Sequence, residues 1–272
     1  MASSYAPAQS HYVEVNGQTL HYKQWSQNGP PLLFLHGVTS SGSSWDIISP
    51  QFMSRYRVMA FDLRGHGLSS KPASGYTWAE DYAADLVEFI NTHLDEPAIV
   101  VGHSLGAAIT VPIAASTPGK VRAVVMEDPP LFADERPAHI HNRFKPVLTL
   151  KQMPYELRVE RFMDIMGVDR DAATRRASDL EAVSEQALLE LMEGQSSYRV
   201  EYWLPMMSCP SLVILGSPER GGVVARDDRP RLERLLTNTT LIEWGDVGHS
   251  IHIEQPERFV SEVKSFLEGL PA

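Results

Sequence analysis

The chain has 272 residues, of which 43% are hydrophobic and 21% charged, a composition typical of a folded globular protein with a full core. Its formal net charge of -10 argues against nucleic acid or an anionic membrane surface as a partner. Cys209 is the single cysteine, which excludes an intrachain disulfide and a thiolate-bound metal. The sequence has no run of about 18 apolar residues that could span a membrane. The first residues also lack the basic and apolar segments of a secretory signal, so we expect a cytoplasmic protein.

Eight segments of the chain are predicted to be strands. The first two flank Asn16-Gly17, a dipeptide that favours the tight turn of an antiparallel hairpin. The later segments alternate with helical patterns, which indicates an α/β fold with a mostly parallel, doubly wound sheet covered by helices on both faces. The predicted strands are 13–15, 20–25, 31–35, 57–61, 98–101, 121–126, 212–215 and 240–244, and the helices are 77–94, 107–115, 229–236 and 256–267.

One long segment interrupts this alternation. Residues 131–205 contain no convincing strand, but they do contain helical patterns at 156–166 and 184–192. Because the segment lies between two predicted sheet strands, we expect a helical cap, or lid, folded over one end of the sheet. The core domain would then comprise residues 1–130 and 206–272.

A nucleophile motif follows the strand at 98–101. The segment Gly102-His103-Ser104-Leu105-Gly106 stands between that strand and an alanine-rich helix. A sharp strand-to-helix turn would expose the Ser104 hydroxyl above the sheet edge, at the positive end of the helix. This context predicts that Ser104 is a catalytic nucleophile.

A serine nucleophile needs a base and an acid that orients the base. His249 follows the last predicted strand and would emerge at the same edge of the sheet as Ser104. Two acids follow strands that end at this edge, Glu219 and Asp128. We favour Glu219, with Asp128 as the alternative. His252 is a second histidine nearby, and we expect it to line the substrate pocket.

The negative charge of a tetrahedral intermediate requires amide donors. The amide of Val38, after the strand at 31–35, and the amide of Leu105, at the start of the nucleophile helix, are the predicted oxyanion hole. Candidate pocket residues are aromatic or basic, and core packing is an equally good explanation for each aromatic one. They are Trp45, Phe132, Trp203 and His252. No metal or other cofactor is expected.

Taken together, these motifs resemble the α/β-hydrolase fold superfamily, and within it the serine esterase and lactonase branch that includes acyl-homoserine lactonases. The resemblance implies an eight-stranded sheet, a cap after the sixth strand, Ser104 and His249 as nucleophile and base, and an oxyanion hole at Val38 and Leu105. It is carried by His36-Gly37, Asp62-Leu63-Arg64-Gly65-His66-Gly67-Leu68-Ser69, Gly102-His103-Ser104-Leu105-Gly106, Asp246-Val247-Gly248-His249-Ser250 and Glu254-Gln255-Pro256.

The resemblance also bears on the acid. The family usually has aspartate after the seventh strand, where this chain has Glu219, whereas Asp128 matches the acid position of haloalkane dehalogenases and some lactonases. A glutamate acid with a serine nucleophile is similar to acyl-homoserine-lactone hydrolases of this fold.

These features predict an enzyme that cleaves a small carboxylic ester or lactone through an acyl-enzyme, with an N-acyl homoserine lactone as one candidate substrate. A carbon–carbon bond hydrolase and a cofactor-free perhydrolase would use the same triad, and a ligand receptor of this fold is a further alternative. The carbon–carbon hydrolase would usually require an arginine beside the elbow, and His103 and Leu105 flank Ser104 instead.

Overall fold

A computed structural model describes residues 7–194 and 199–271 of the chain. Eight strands form one sheet with the spatial order β1-β2-β4-β3-β5-β6-β7-β8. Strand β2 is antiparallel to both β1 and β4, and all other neighbours are parallel. This confirms the predicted mostly parallel α/β sheet. The strands are β1 Gln9–Val15, β2 Gln18–Gln24, β3 Pro31–Leu35, β4 Arg57–Asp62, β5 Ala98–His103, β6 Val121–Glu127, β7 Ser211–Gly216 and β8 Thr239–Trp244.

Helices cover both faces of the sheet, which explains the uninterrupted apolar character of its central strands. Leu33 and Leu35 of β3 belong to the core cluster that includes α1 and α2, while Leu32 and Phe34 face the cluster that includes α9. Alternate side chains of one strand are therefore buried on opposite faces. The α-helices are α1 Ala84–His93, α2 Leu105–Ser116, α3 Pro137–Lys151, α4 Tyr155–Met166, α5 Arg170–Glu181, α6 Glu185–Met192, α7 Arg229–Leu235, α8 Ile251–Glu254 and α9 Pro256–Glu268.

Four of these helices, α3 to α6, lie between β6 and β7 and are called the α3–α6 segment below. The sequence patterns indicated α4 and α6 but not α3 and α5. Leu180 of α5 and Leu188 of α6 join the main core, so the segment is anchored on the sheet. The division into a core domain and a cap at residues 131–205 stays a prediction, and residues 195–198 of that range lie outside the described residues.

The topology brings the carboxyl ends of β3, β5, β6, β7 and β8 to one edge, because these five strands run parallel. Ligand sites of open α/β sheets form at such an edge. Within residues 7–194 and 199–271, no helix has the length and apolarity needed to cross a bilayer.

Candidate active site

Ser104 occupies a strained turn between β5 and α2. Its backbone has φ 54° and ψ −115°, a conformation that L-residues rarely adopt. The Ser104 N–H donates to the Glu127 carbonyl at 3.0 Å, which ties the turn to the end of β6. A strained residue held by its surroundings at the end of a parallel strand is a sign of function.

Two glycines permit this turn because chain segments cross them closely. A Cβ on Gly102 would lie 2.3 Å from the Gly106 carbonyl carbon, and a Cβ on Gly106 would lie 2.2 Å from the Leu35 carbonyl oxygen. Neither space admits a side chain. The Gly106 N–H also donates to the His36 carbonyl at 3.1 Å, so the start of α2 is fastened to the end of β3.

His249 is hydrogen-bonded to Asp128. Their Nδ1 and Oδ2 atoms lie 2.7 Å apart, and the Asp128 side chain is fully buried. The Val223 N–H donates to the same carboxylate at 2.8 Å, and the Gly216 N–H donates at 3.3 Å. Asp128 is itself held at the end of β6, since its N–H donates to the Ile214 carbonyl at 2.8 Å. The carboxylate therefore fixes the orientation of the imidazole.

The predicted contact between Glu219 and His249 is wrong. Glu219 is exposed and accepts hydrogen bonds from Ser217 Oγ at 2.7 Å and from the Arg226 guanidinium at 2.7 and 2.9 Å. These bonds lower the pKa of Glu219 to about 2. The turn after β7 directs this side chain away from the imidazole, and Asp128, the alternative named from the sequence, takes the position beside His249.

The base and the nucleophile meet in one cavity. Ser104 and His249 both line the space above the carboxyl edge of the sheet. His103, the neighbour of the serine, contributes Nε2 to a 3.0 Å hydrogen bond with the His249 carbonyl, and its ring contacts that of His249. Thus β5 leads directly into the serine, and its last residue, His103, also holds the loop that carries the imidazole.

Burial governs the protonation of this pair. Burial lowers the pKa of His249, and the positive charge of Arg143 lowers it further. Burial raises the pKa of Asp128 to about 6, against the opposing effect of the Val223 and Gly216 amides. The imidazole is therefore neutral near pH 7, the form a general base requires.

The predicted oxyanion donors lie beside the serine. Val38 and Leu105 line the same cavity as Ser104. The Leu105 N–H belongs to the first turn of α2, where no intrahelical acceptor exists. The peptide that carries the Val38 N–H is held by the Gly37 carbonyl, which accepts from the Ser40 N–H at 3.1 Å and lies 2.8 Å from His36 Nδ1. The role of both amides as oxyanion donors stays a prediction.

A second carboxylate–imidazole pair lies beside the first. Glu127 Oε1 accepts from the His252 N–H at 2.9 Å, and its carboxylate oxygens lie 2.8 and 2.9 Å from His252 Nδ1. Both side chains are buried. His252 lines the cavity, as expected from the sequence. Trp45 does not: it is fully buried and stacks on the His252 ring at 4.1 Å, so its proposed role in substrate contact is wrong.

The cavity has two lobes that share Ser104 and His249. The first, called the apolar lobe, has an empty volume of about 640 Å³, counting space open to solvent. Phe132 lines it, in agreement with the sequence analysis. Trp203 is not among its lining residues; it packs against the main core instead. Apolar side chains form most of the wall, among them Val38, Trp78, Leu105, Leu131, Phe132 and Phe144.

The second lobe, called the polar lobe, has an empty volume of about 750 Å³ by the same measure. Two arginines from the α3–α6 segment line it, Arg143 of α3 and Arg176 of α5. Sequence analysis missed both, because α3 and α5 were not predicted and no local pattern marks which arginines of a polar helix face a cavity. An arginine near the elbow was considered absent; Arg143 lines the cavity together with Ser104.

Comparisons with known proteins agree with this fold. A model of the alpha/beta hydrolase family matches residues 32–262. A non-heme chloroperoxidase of Streptomyces lividans is 26% identical over 272 aligned residues, covering 93% of this chain and 98% of that protein.

Two further likenesses concern one kind of enzyme. A 2-(acetamidomethylene)succinate hydrolase of Mesorhizobium japonicum is 42% identical over 119 residues, which is 44% of this chain and 42% of that protein. The crystal structure of an E-2-(acetamidomethylene)succinate hydrolase covers 96% of this chain and 100% of its own, with a TM-score of 0.77 and 26% identity.

Proposed function

Because this chain belongs to the alpha/beta hydrolase family, we propose that it is a serine hydrolase that cleaves a small carboxylic ester or lactone through an acyl-enzyme. In this proposal Ser104 is the nucleophile, His249 the base and Asp128 the orienting acid. Its partner is the small-molecule substrate, and N-acyl homoserine lactones stay among the candidate substrates.

The reaction follows from the roles of these groups. His249 Nε2 accepts the proton of Ser104 Oγ as the oxygen attacks the substrate carbonyl, and the Val38 and Leu105 amides hold the resulting oxyanion. The imidazolium then protonates the leaving alcohol. A water molecule, deprotonated by the same imidazole, hydrolyses the acyl-enzyme and regenerates the serine.

One observation carries the proposal: His249, bonded through Nδ1 at 2.7 Å to the buried Asp128, lines the same cavity as the strained Ser104. A structural role would explain the buried carboxylate–imidazole pair or the strained serine separately. Their occurrence at one cavity is what nucleophilic catalysis requires.

The direct test is covalent labelling with a fluorophosphonate, followed by mass spectrometry and by assays on p-nitrophenyl esters and on acyl-homoserine lactones of several chain lengths. The wild type should be labelled on Ser104, and Ser104→Ala should lose labelling and at least about 10³-fold in turnover. Ser208→Ala changes an exposed serine and serves as the matched control. Undiminished hydrolysis by purified Ser104→Ala would exclude the proposal.

A carbon–carbon bond hydrolase is the second candidate, favoured by Arg143 at the cavity beside Ser104. The likeness to a non-heme chloroperoxidase likewise supports a test for peroxide as acyl acceptor. Product analysis separates the three: an acid with an alcohol or opened lactone, two fragments of a cleaved carbon chain, or a peracid.

A further inference from the structure

The two arginines of the polar lobe make no direct ion pair within the described residues; Asp179 acts on Arg176, and Asp128 on Arg143, only from a longer distance. In the apolar lobe, by contrast, Arg136 is neutralised by a two-bond contact with Asp228, both at 2.8 Å. Neither Arg143 nor Arg176 lies within 4.0 Å of a carboxylate oxygen of the described side chains.

Arg176 lines the polar lobe and is bonded to Thr39. Its Nη2 donates to Thr39 Oγ1 at 3.4 Å, a long bond that leaves most of its donors uncommitted. Asp179, one turn further along α5, is engaged by the Ser41 hydroxyl at 2.7 Å. Burial lowers the pKa of Arg176, which means that its charge is poorly solvated there. A desolvated guanidinium at a cavity wall is stabilised when an anion enters.

Two buried polar atoms at the same wall also lack partners. Ser40 and His252 both line the polar lobe, and Ser40 Oγ and His252 Nε2 make no hydrogen bond within the described part of the chain. The two residues are 6% and 2% exposed. Burial raises the pKa of Glu127 to about 7. When its protonated carboxyl donates to Nδ1 of the imidazole, Nε2 carries the ring hydrogen and can donate to a ligand. Buried groups of this kind are normally paired, and their position beside Arg176 points to a polar ligand group.

We propose that the polar lobe is a carboxylate-binding subsite, formed by Arg176, Ser40 and His252 with Arg143 at its junction with the apolar lobe. The substrate of the hydrolase proposed above would then be an anionic ester or lactone. Its reacting carbonyl lies at Ser104 and its apolar part in the apolar lobe, while its carboxylate is bound next to α5. The substrate class in this inference rests on the proposed function. The binding of a carboxylate rests on the cavity alone.

The test compares esters that differ only in charge. One pair is mono-p-nitrophenyl glutarate and its methyl ester, with the carboxylate in the acyl part. The other is a p-acyloxybenzoate and its methyl ester, with the carboxylate in the leaving group. We expect the wild type to favour one anionic ester over its neutral partner by at least about tenfold in kcat/KM, since hydrogen bonds to charged groups have this magnitude.

Arg176→Met should reduce that preference by at least about tenfold, mainly through KM, while Arg176→Lys retains part of it because the charge remains. The matched control is Arg175→Met, which changes the exposed neighbouring arginine of α5 outside the cavity wall. Calorimetry with glutarate gives a readout independent of turnover. Glutarate should bind the wild type and Arg175→Met alike and Arg176→Met at least about tenfold more weakly.

The outcomes separate this inference from the proposed function. Ester hydrolysis without a charge preference, or a preference that Arg176→Met retains, would overturn the carboxylate subsite and leave the serine hydrolase intact. If no ester is cleaved faster than by Ser104→Ala, the proposed function fails. In that case glutarate binding alone tests whether the polar lobe binds a carboxylate. Equal affinity of the wild type and Arg176→Met for glutarate, or no binding to either, would overturn the carboxylate subsite.

Discussion

Replacement of Asp128 by asparagine is the sharpest test of how the imidazole is oriented. If the NH2 group of the asparagine took the Oδ2 position, it would face the Val223 N–H, which lies 2.8 Å from that position, and two hydrogen-bond donors would meet. At the Oδ1 position it meets only the longer 3.3 Å contact with the Gly216 N–H. The amide should therefore keep its oxygen toward His249 Nδ1 and preserve the tautomer of the imidazole.

What Asp128→Asn removes is the negative charge that stabilises the imidazolium in the transition state. At an effective dielectric constant of about 20 and charge centres about 4 Å apart, this attraction is about 4 kcal/mol. That corresponds to a loss of about 10³-fold in kcat. The assay is best run at pH 8, where Asp128 is ionised, since its pKa is raised only to about 6, and His249 is neutral.

Glu219→Gln is the matched control, because it makes the same chemical change at the acid that sequence analysis favoured. Glu219 is exposed and bonded to Arg226, so we expect kcat to change by less than about threefold. Circular dichroism and thermal unfolding would establish that both variants are folded. A loss below about tenfold in Asp128→Asn, or a larger loss in Glu219→Gln, would refute the assignment of the acid.

Three further predictions concern strain, protonation and stability. Ser104→Gly should be inactive, yet its free energy of unfolding in urea should be higher by about 1 kcal/mol, because glycine adopts a positive φ without strain. A variant less stable than the wild type would show that Ser104 is not strained. Arg143→Met should shift the acid limb of the kcat/KM profile to higher pH, since the arginine charge lowers the pKa of His249; an unmoved limb would show that the two do not interact. Burial raises the pKa of Glu127 from 4.5 to about 7, so the folded protein binds its proton more tightly and the wild type loses this contribution to stability as pH rises from 4.5 to 7. Glu127→Gln should remove that loss. The test is the free energy of unfolding in urea at pH 5 and pH 8; if it changes between the two pH values as much in the variant as in the wild type, the prediction is wrong.

Much of the fold was accessible from the sequence because the relevant signals are local. The Asn16-Gly17 turn predicted the first two strands, and continuous apolar segments predicted the central ones, because a strand buried on both faces is apolar along most of its length. The turn at Ser104 was predictable for a similar reason: Gly102 and Gly106 are required by close approaches within the same short segment and to the adjacent strand.

The partners of His249 depended on tertiary structure. Asp128 and Glu219 both follow strands that end at the catalytic edge, so chain order alone allowed either acid. The choice was decided by contacts between distant segments: the Val223 and Gly216 amides hold Asp128 beside the imidazole, and Arg226 holds Glu219 outside.

The two lobes of the cavity likewise depend on tertiary structure. Trp45 looked from the sequence like a substrate contact, yet it is buried behind His252. Arg143 and Arg176 lie on helices whose polar sequence is compatible with any exposed face, and only the packing of the α3–α6 segment brings them to the cavity that Ser104 and His252 also line. Local sequence thus determined which groups can react, because strand and turn patterns depend on near neighbours. Tertiary packing decided what surrounds those groups, since long-range contacts set the direction of each side chain.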